Sequence, residues 1–341
     1  MPTALLNCQP PPAVSRPSTR IDALDWTKGA LIICMVIYHA INYSAFRPMA
    51  FRFLGFLPPS FILITGFLVG QVYAAKYDLE TWKPYARLAI RGTKLFLIFT
   101  LLNLARCVAL EHNFFDGMDE FAALSRTIFL SGNGRVGIFE VLLPIACFLL
   151  LAPLLLWFSS RNKAAIAICA VAIFFTCLAL EMNGRFSNNL SLLSAGIIGM
   201  AFGLVRMESI DRVAMKWIPV LLLYLLYRLC SQIFGERYPV QMLGAAVSVF
   251  VLYACALHLN CASWFEQQII ILGKYSLLGY LAQIAVLQGL VKLTRGKPEH
   301  VMGVVVLSLL AMVLTFLIIR SVHAFRRRSR PGDMVYKAIF A

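Results

Sequence analysis

Lys28 and His39 stand eleven residues apart in the stretch from Arg20 to Tyr43, which reads RIDALDWTKGALIICMVIYHAINY. On a helix that spacing is three turns with about 20° left over, so both side chains share one face, about 16 Å apart along the axis. Between them lie Gly29, Cys34 and apolar residues. An ammonium and an imidazole at such depth are costly in lipid and turn toward a bundle interior or a wet cavity. The pair offers a cation for an anionic ligand and a base for a hydroxyl group. The residues alone leave a second reading open, in which Lys28 snorkels to the headgroups and His39 is a satisfied core side chain.

Other polar residues interrupt apolar runs. Glu140 lies about one turn inside one run, an intramembrane carboxylate and so a functional candidate. Arg135 is a possible interfacial partner for it. Arg228 lies between apolar residues near Tyr224 and Tyr227 and needs a partner, for which Glu140 is one candidate. Asn42 and Tyr43 follow His39 by one turn and are placed to orient a substrate. Lys274 opens a late, unusually polar run, Gly-Lys-Tyr-Ser followed by Tyr280 and Gln283.

The elements that must carry these residues are membrane helices. Of 341 residues, 60% are hydrophobic and 14% charged, against about 25% charged in soluble domains. Ten apolar spans follow at about 29–46, 52–74, 94–110, 136–158, 164–182, 189–206, 216–234, 239–260, 270–291 and 301–322, each near the length a bilayer core needs. The expected fold is therefore all-α, a polytopic bundle of about ten transmembrane helices. Residues 1–19 read as a disordered cytoplasmic tail, 20–322 as the membrane domain and 323–341 as a basic cytoplasmic tail. Pro58 and Pro59 are expected to break or kink the second span near its outer end. Gly66 and Gly70 there, and Gly196, Gly199 and Gly203 in the sixth, read as small-residue packing faces.

An even number of spans puts both termini on one side. Most of the 31 basic residues then fall on that side, which the positive-inside rule makes cytoplasmic. The same rule accounts for the net charge of +15, and no nucleic-acid module accompanies it. Arg326, Arg327 and Arg328 are expected to lie against anionic membrane lipids. The nine cysteines fall mostly inside apolar runs without paired spacing, and the five histidines are scattered, so no metal site is expected. The loop 111–135 is the longest outside connection and a candidate lid over an acceptor, or else a plain solvated loop.

Three segments carry a resemblance. Leu24, Asp25, Lys28 and Gly29 followed by His39 resemble the first helix of the transmembrane acyltransferase superfamily, whose acyltransferase-3 branch has an arginine and then a histidine after ten intervening residues. Lys28 replaces that arginine, which keeps the charge and loses the planar fork; Arg20 is a possible compensation. Phe61 to Gly70 is similar to the family's Ser-Gly-Phe helix, with Thr65 for serine. Leu272 to Leu281 is similar to its late Leu-Gly, Ser, Tyr-Leu helix, and Gln283 stands where many members have a second histidine.

The resemblance implies transfer of an acyl group, acetyl or succinyl, from a cytosolic acyl-CoA (acetyl-CoA or succinyl-CoA) to a hydroxyl of an envelope or other extracytoplasmic carbohydrate. It implies His39 as general base, with an acyl-histidine as the variant mechanism. Arg20, Lys28 and Lys274 would hold the donor, and Asp25, Asn42, Tyr43, Glu140 and Arg228 would orient or support the site. The expected location is a bacterial inner (cytoplasmic) membrane. A transporter of a sugar, lipid or amphiphile is the rival class; it predicts internal repeats and paired broken helices, and no repeat is evident.

Overall fold

A computed structural model describes residues 22–46, 53–73, 81–110, 125–132, 139, 141–235, 237–259, 263–294 and 298–340. Among them the chain is helical, with no strand. Eight helices are long and apolar enough to cross a membrane: α1 (Asp22–Asn42), α3 (Lys83–Leu110), α4 (Leu142–Arg161), α5 (Lys163–Met182), α8 (Trp217–Phe234), α9 (Tyr238–His258), α11 (Ser276–Leu293) and α12 (Val301–Arg328). Two further predicted spans are shorter. The second is α2 (Leu57–Leu68), continued by a π turn at Val69–Tyr73. The sixth is α6 (Asn188–Phe202), which bends by 100° into the short amphipathic α7 (Met207–Ala214). Helix α10 (Trp264–Lys274) and the C-terminal α13 (Arg330–Phe340) complete the chain. The protein is an all-α polytopic membrane bundle.

Several boundaries differ from the expectation, each for a local reason. The break expected near Pro58 and Pro59 falls just before them: Phe53 and Leu54 are helical, Gly55 and Phe56 form a turn, and the prolines take the first turn of α2, where a missing N–H costs nothing. Helix α3 begins eleven residues before its apolar run, because Arg87, Arg91 and Lys94 extend the helix while keeping their charges near a membrane boundary. The ninth span is two helices that meet at Tyr275, with α10 opened by a reciprocal Ser263–Glu266 capping box. The segment from residue 323 is not a loose tail: α12 runs on to Arg328, and α13 folds back against it. The 1–19 segment lies outside the described residues, as does most of the 111–135 loop; its π turn at Thr127–Ser131 rests on Asn189, whose Nδ2 donates to the Ile128 carbonyl at 2.9 Å.

Helix α1 is the hub, touching α2, α9, α10, α11 and α12. Its sequence is apolar on nearly every face, as a helix surrounded by others must be, whereas α5 and α8 are mostly exposed and offer apolar side chains to lipid. Close approach is written in glycine. A Cβ on Gly29 would fall on the Ile269 carbonyl, and one on Gly273 on the Asp25 carbonyl, so α1 and α10 cross backbone to backbone. The two small-residue faces read from the sequence meet each other: Gly66 abuts the Gly196 carbonyl, and Gly199 abuts that of Leu63.

Candidate active site

The α1–α10 crossing fixes the charged end of the hub. Lys28 Nζ lies 2.6 Å from Asp25 Oδ1 one turn earlier, and both side chains are largely buried. Lys274 Nζ lies 3.8 Å from Asp22 at the rim. A buried ammonium beside a carboxylate offsets its own desolvation, so Lys28 is held as half of an ion pair. Arg20 lies outside the described residues.

Between α2, α3, α4, α11 and α13 the bundle holds a cavity of about 280 Å³. Phe61 and Thr65 of α2, the first turns of α4 from Leu142, and Leu277 of α11 form an apolar wall with few hydroxyls. Arg91 and Lys94, on one face of α3, bring two cations into it, and Tyr280 of α11 closes another side. Arg91 Nη1 also donates to Tyr73 Oη at 3.3 Å. Neither Lys28 nor Lys274 lines this cavity; the cations that do are Arg91 and Lys94. A cavity with two cations and an apolar wall suits an anionic molecule with an apolar arm.

His39 meets the cavity through Tyr280. Their ring centroids are 6.3 Å apart, and Tyr280 is packed from another side by Phe139 at 6.3 Å. Tyr38 flanks the imidazole at 5.2 Å. His39 Nε2 is sealed from solvent and has no hydrogen-bond partner among the described residues. Buried polar atoms are rarely left so, and in the tautomer protonated at Nδ1 this nitrogen is a proton acceptor. Gln283, one turn beyond Tyr280, is fully buried, with neither amide atom partnered among the described residues.

The remaining predicted residues are distributed differently. Asn42 closes α1, half-buried, and Tyr43 packs with Val36 and Ala40 toward α11 and α12. Arg228 lies over the rings of Phe53 and Tyr227, at 5.2 and 5.8 Å, a cation–π arrangement that suits a charge among aromatics. Glu140 and Arg135 are outside the described residues. Arg91 and Lys94 are not among the site residues expected from the sequence, and Tyr280 enters that reading only as part of the polar run that Lys274 opens. The three-residue spacing of Arg91 and Lys94 is the signal that places them on one helical face.

The acyltransferase domain model of the acyltransferase-3 family matches residues 21–320. No curated protein and no solved structure matches the chain. The matched stretch contains the hub helix, the cavity wall apart from Ile339 and Phe340, and nearly all of the bundle, and on it the chain belongs to the acyltransferase-3 family of multi-pass membrane acyltransferases.

Proposed function

We propose that the protein is an O-acyltransferase that takes an acyl group, acetyl or succinyl, from acyl-CoA on the cytoplasmic side and passes it to a hydroxyl of an extracytoplasmic carbohydrate. The observation that supports it best is the cavity with Arg91 and Lys94 in its wall and, in the same wall, a tyrosine that touches His39. The phosphates of coenzyme A pair with Arg91 and Lys94, and Lys274 adds positive potential, while the charge of Lys28 is offset by Asp25. The positive-inside rule makes the end that carries these cations cytoplasmic, and the family resemblance points to a bacterial cytoplasmic membrane. The acyl arm lies along the apolar wall and brings its thioester to Tyr280 and His39.

The acceptor arrives from the other side of the hub. Its hydroxyl oxygen attacks the thioester carbonyl, and His39 Nε2 takes the hydroxyl proton. The carbon–sulfur bond breaks, an ester forms, and the proton passes from the imidazole to the departing thiolate. Asn42 and Tyr43 orient the acceptor, and Asp25, Glu140 and Arg228 support the charged framework.

The test is reconstitution in vesicles with labelled acyl-CoA inside and a glycan acceptor outside, together with mass spectrometry of envelope glycans from cells with and without the gene. An acyl mass increment that depends on His39 is the expected result. Movement of a sugar without acyl-CoA consumption, or full transfer by a folded His39→Ala protein, would overturn the reading.

A further inference from the structure

The C-terminal helix α13 is amphipathic and reaches back over the cavity. Ile339 and Phe340 form part of the cavity wall. Lys94, one of its two cations, donates from Nζ to the Lys337 carbonyl of α13 at 3.3 Å. The helix is held by a small latch: Asp333 accepts from Arg326 Nε at 2.9 Å and from Lys337 Nζ at 2.6 Å, while Tyr336 lies under the Arg326 guanidinium at 4.0 Å and against Tyr275 at 5.2 Å.

Three features make this hold reversible. Its ion pairs are part-exposed and individually weak. The connection is a single extended residue, Ser329, followed by Gly332, whose missing Cβ lets α13 lie against the Phe325 ring. Met334, on the far side of α13, and Val335, one turn before Ile339, are 65% and 58% exposed, so the helix keeps apolar surface for the lipid interface if it leaves the cavity.

We propose that α13 is a displaceable plug, an autoinhibitory helix that fills part of the cavity and withdraws to the membrane surface when an anionic ligand takes Lys94 from the Lys337 carbonyl. A phosphate outcompetes a neutral carbonyl for an ammonium, because charge-assisted hydrogen bonds are about twice as strong. That the ligand admitted is the acyl donor rests on the reading of the cavity given above; the plug itself does not.

The test separates the two. A cysteine is placed at the wall as Thr65→Cys, in a chain whose native cysteines are replaced, and labelled with a charged maleimide in nanodiscs. Chains ending at Ser329, and full-length chains with Gly332→Leu, are expected to label at least tenfold faster than the full-length parent. Equal rates in all three would overturn the plug. Coenzyme A is then added to the truncated and full-length proteins: protection of the cysteine in the truncated protein supports donor admission, while open labelling without protection, where the full-length protein does not bind coenzyme A either, leaves the plug standing and removes the donor reading. Weaker coenzyme A binding after truncation would show α13 to be a fixed part of the binding wall and also overturn the plug.

Discussion

Tyr280 and His39 lie ring against ring, 6.3 Å between centroids, with Tyr280 also lining the cavity that contains Arg91 and Lys94. One aromatic side chain thus joins the cavity lined by Arg91 and Lys94 to an imidazole whose Nε2 is enclosed and has no partner among the described residues. The imidazole sits on the hub helix, which five other helices surround, so its position is set by packing and not by a loop.

If His39 is the general base, its removal takes away proton transfer and leaves donor binding intact. His39→Ala is expected to lower kcat by about 10²–10⁴-fold, with an unchanged dissociation constant for coenzyme A and an unchanged unfolding profile. Single-turnover transfer and equilibrium binding on the same preparation check this. Loss of binding in step with kcat would assign His39 to the architecture instead.

Arg91 and Lys94 predict the opposite split. Each neutralising substitution to Ala removes a charge-assisted contact of about 1.5 kcal/mol, close to tenfold in affinity, and raises KM for the donor with little effect on kcat. Because Arg91 also donates to Tyr73, the Arg91→Lys variant recovers only part of the loss. Steady-state kinetics at two ionic strengths are the check, since the effect shrinks as salt screens the mouth of the cavity.

The Gly273 contact makes a stability prediction. A methyl group there would overlap the Asp25 carbonyl, and backbone cannot give way as a side chain tip does. Gly273→Ala should cost about 1–3 kcal/mol by forcing α1 and α10 apart, and it displaces the Asp25–Lys28 pair with them. The same change at Gly289, which meets nothing within 4 Å, is the control and leaves the melting temperature within a degree or two, the scale of a surface substitution.

Much of this arrangement is legible in the sequence, and the part that is not has a physical cause. Hydropathy shows the runs that become the bundle, and the spacing of Gly66 with Gly70 and of Gly196 with Gly199 and Gly203 shows faces that require close partners. The Asp25–Lys28 pair was also within reach, as a three-residue spacing on a helix. Which helices become neighbours is not written in hydropathy, so the meeting of Arg91 and Lys94 on α3 with Tyr280 on α11 could not be read. Helix α13 was missed because its few apolar residues resemble a solvated basic tail until Ile339 and Phe340 are seen in the cavity wall and Tyr336 against Tyr275.

Gln283 carries both amide atoms into the core with no partner among the described residues, and a buried unsatisfied group costs about 1–3 kcal/mol. Gln283→Met fills a similar volume without that cost and is expected to raise the melting temperature. Residues kept at such a cost are found where activity needs them, so the same variant should transfer acyl groups more slowly. Thermal unfolding and kcat measured on one preparation check the pair of effects; a stabler protein with full activity would make Gln283 a packing residue only.

The latch on α13 sets the last expectation, a pH profile. Asp333 is held below the usual carboxylate range, first by its hydrogen bond with Lys337 and then by that with Arg326. A carboxyl group whose folded pKa is depressed stabilises the folded contact above its ordinary value, near 3.9, and loses that stabilisation as pH falls through the folded value. Docking of α13 should therefore be flat between pH 5 and 8 and weaken only in stronger acid. Asp333→Asn keeps the shape but removes the charge, and should show the released state at every pH in that range. Hydrogen exchange across residues 330–340 reads both: rapid exchange in the variant at pH 7 and protection in the parent are expected, and equal protection in the two would remove Asp333 from the latch.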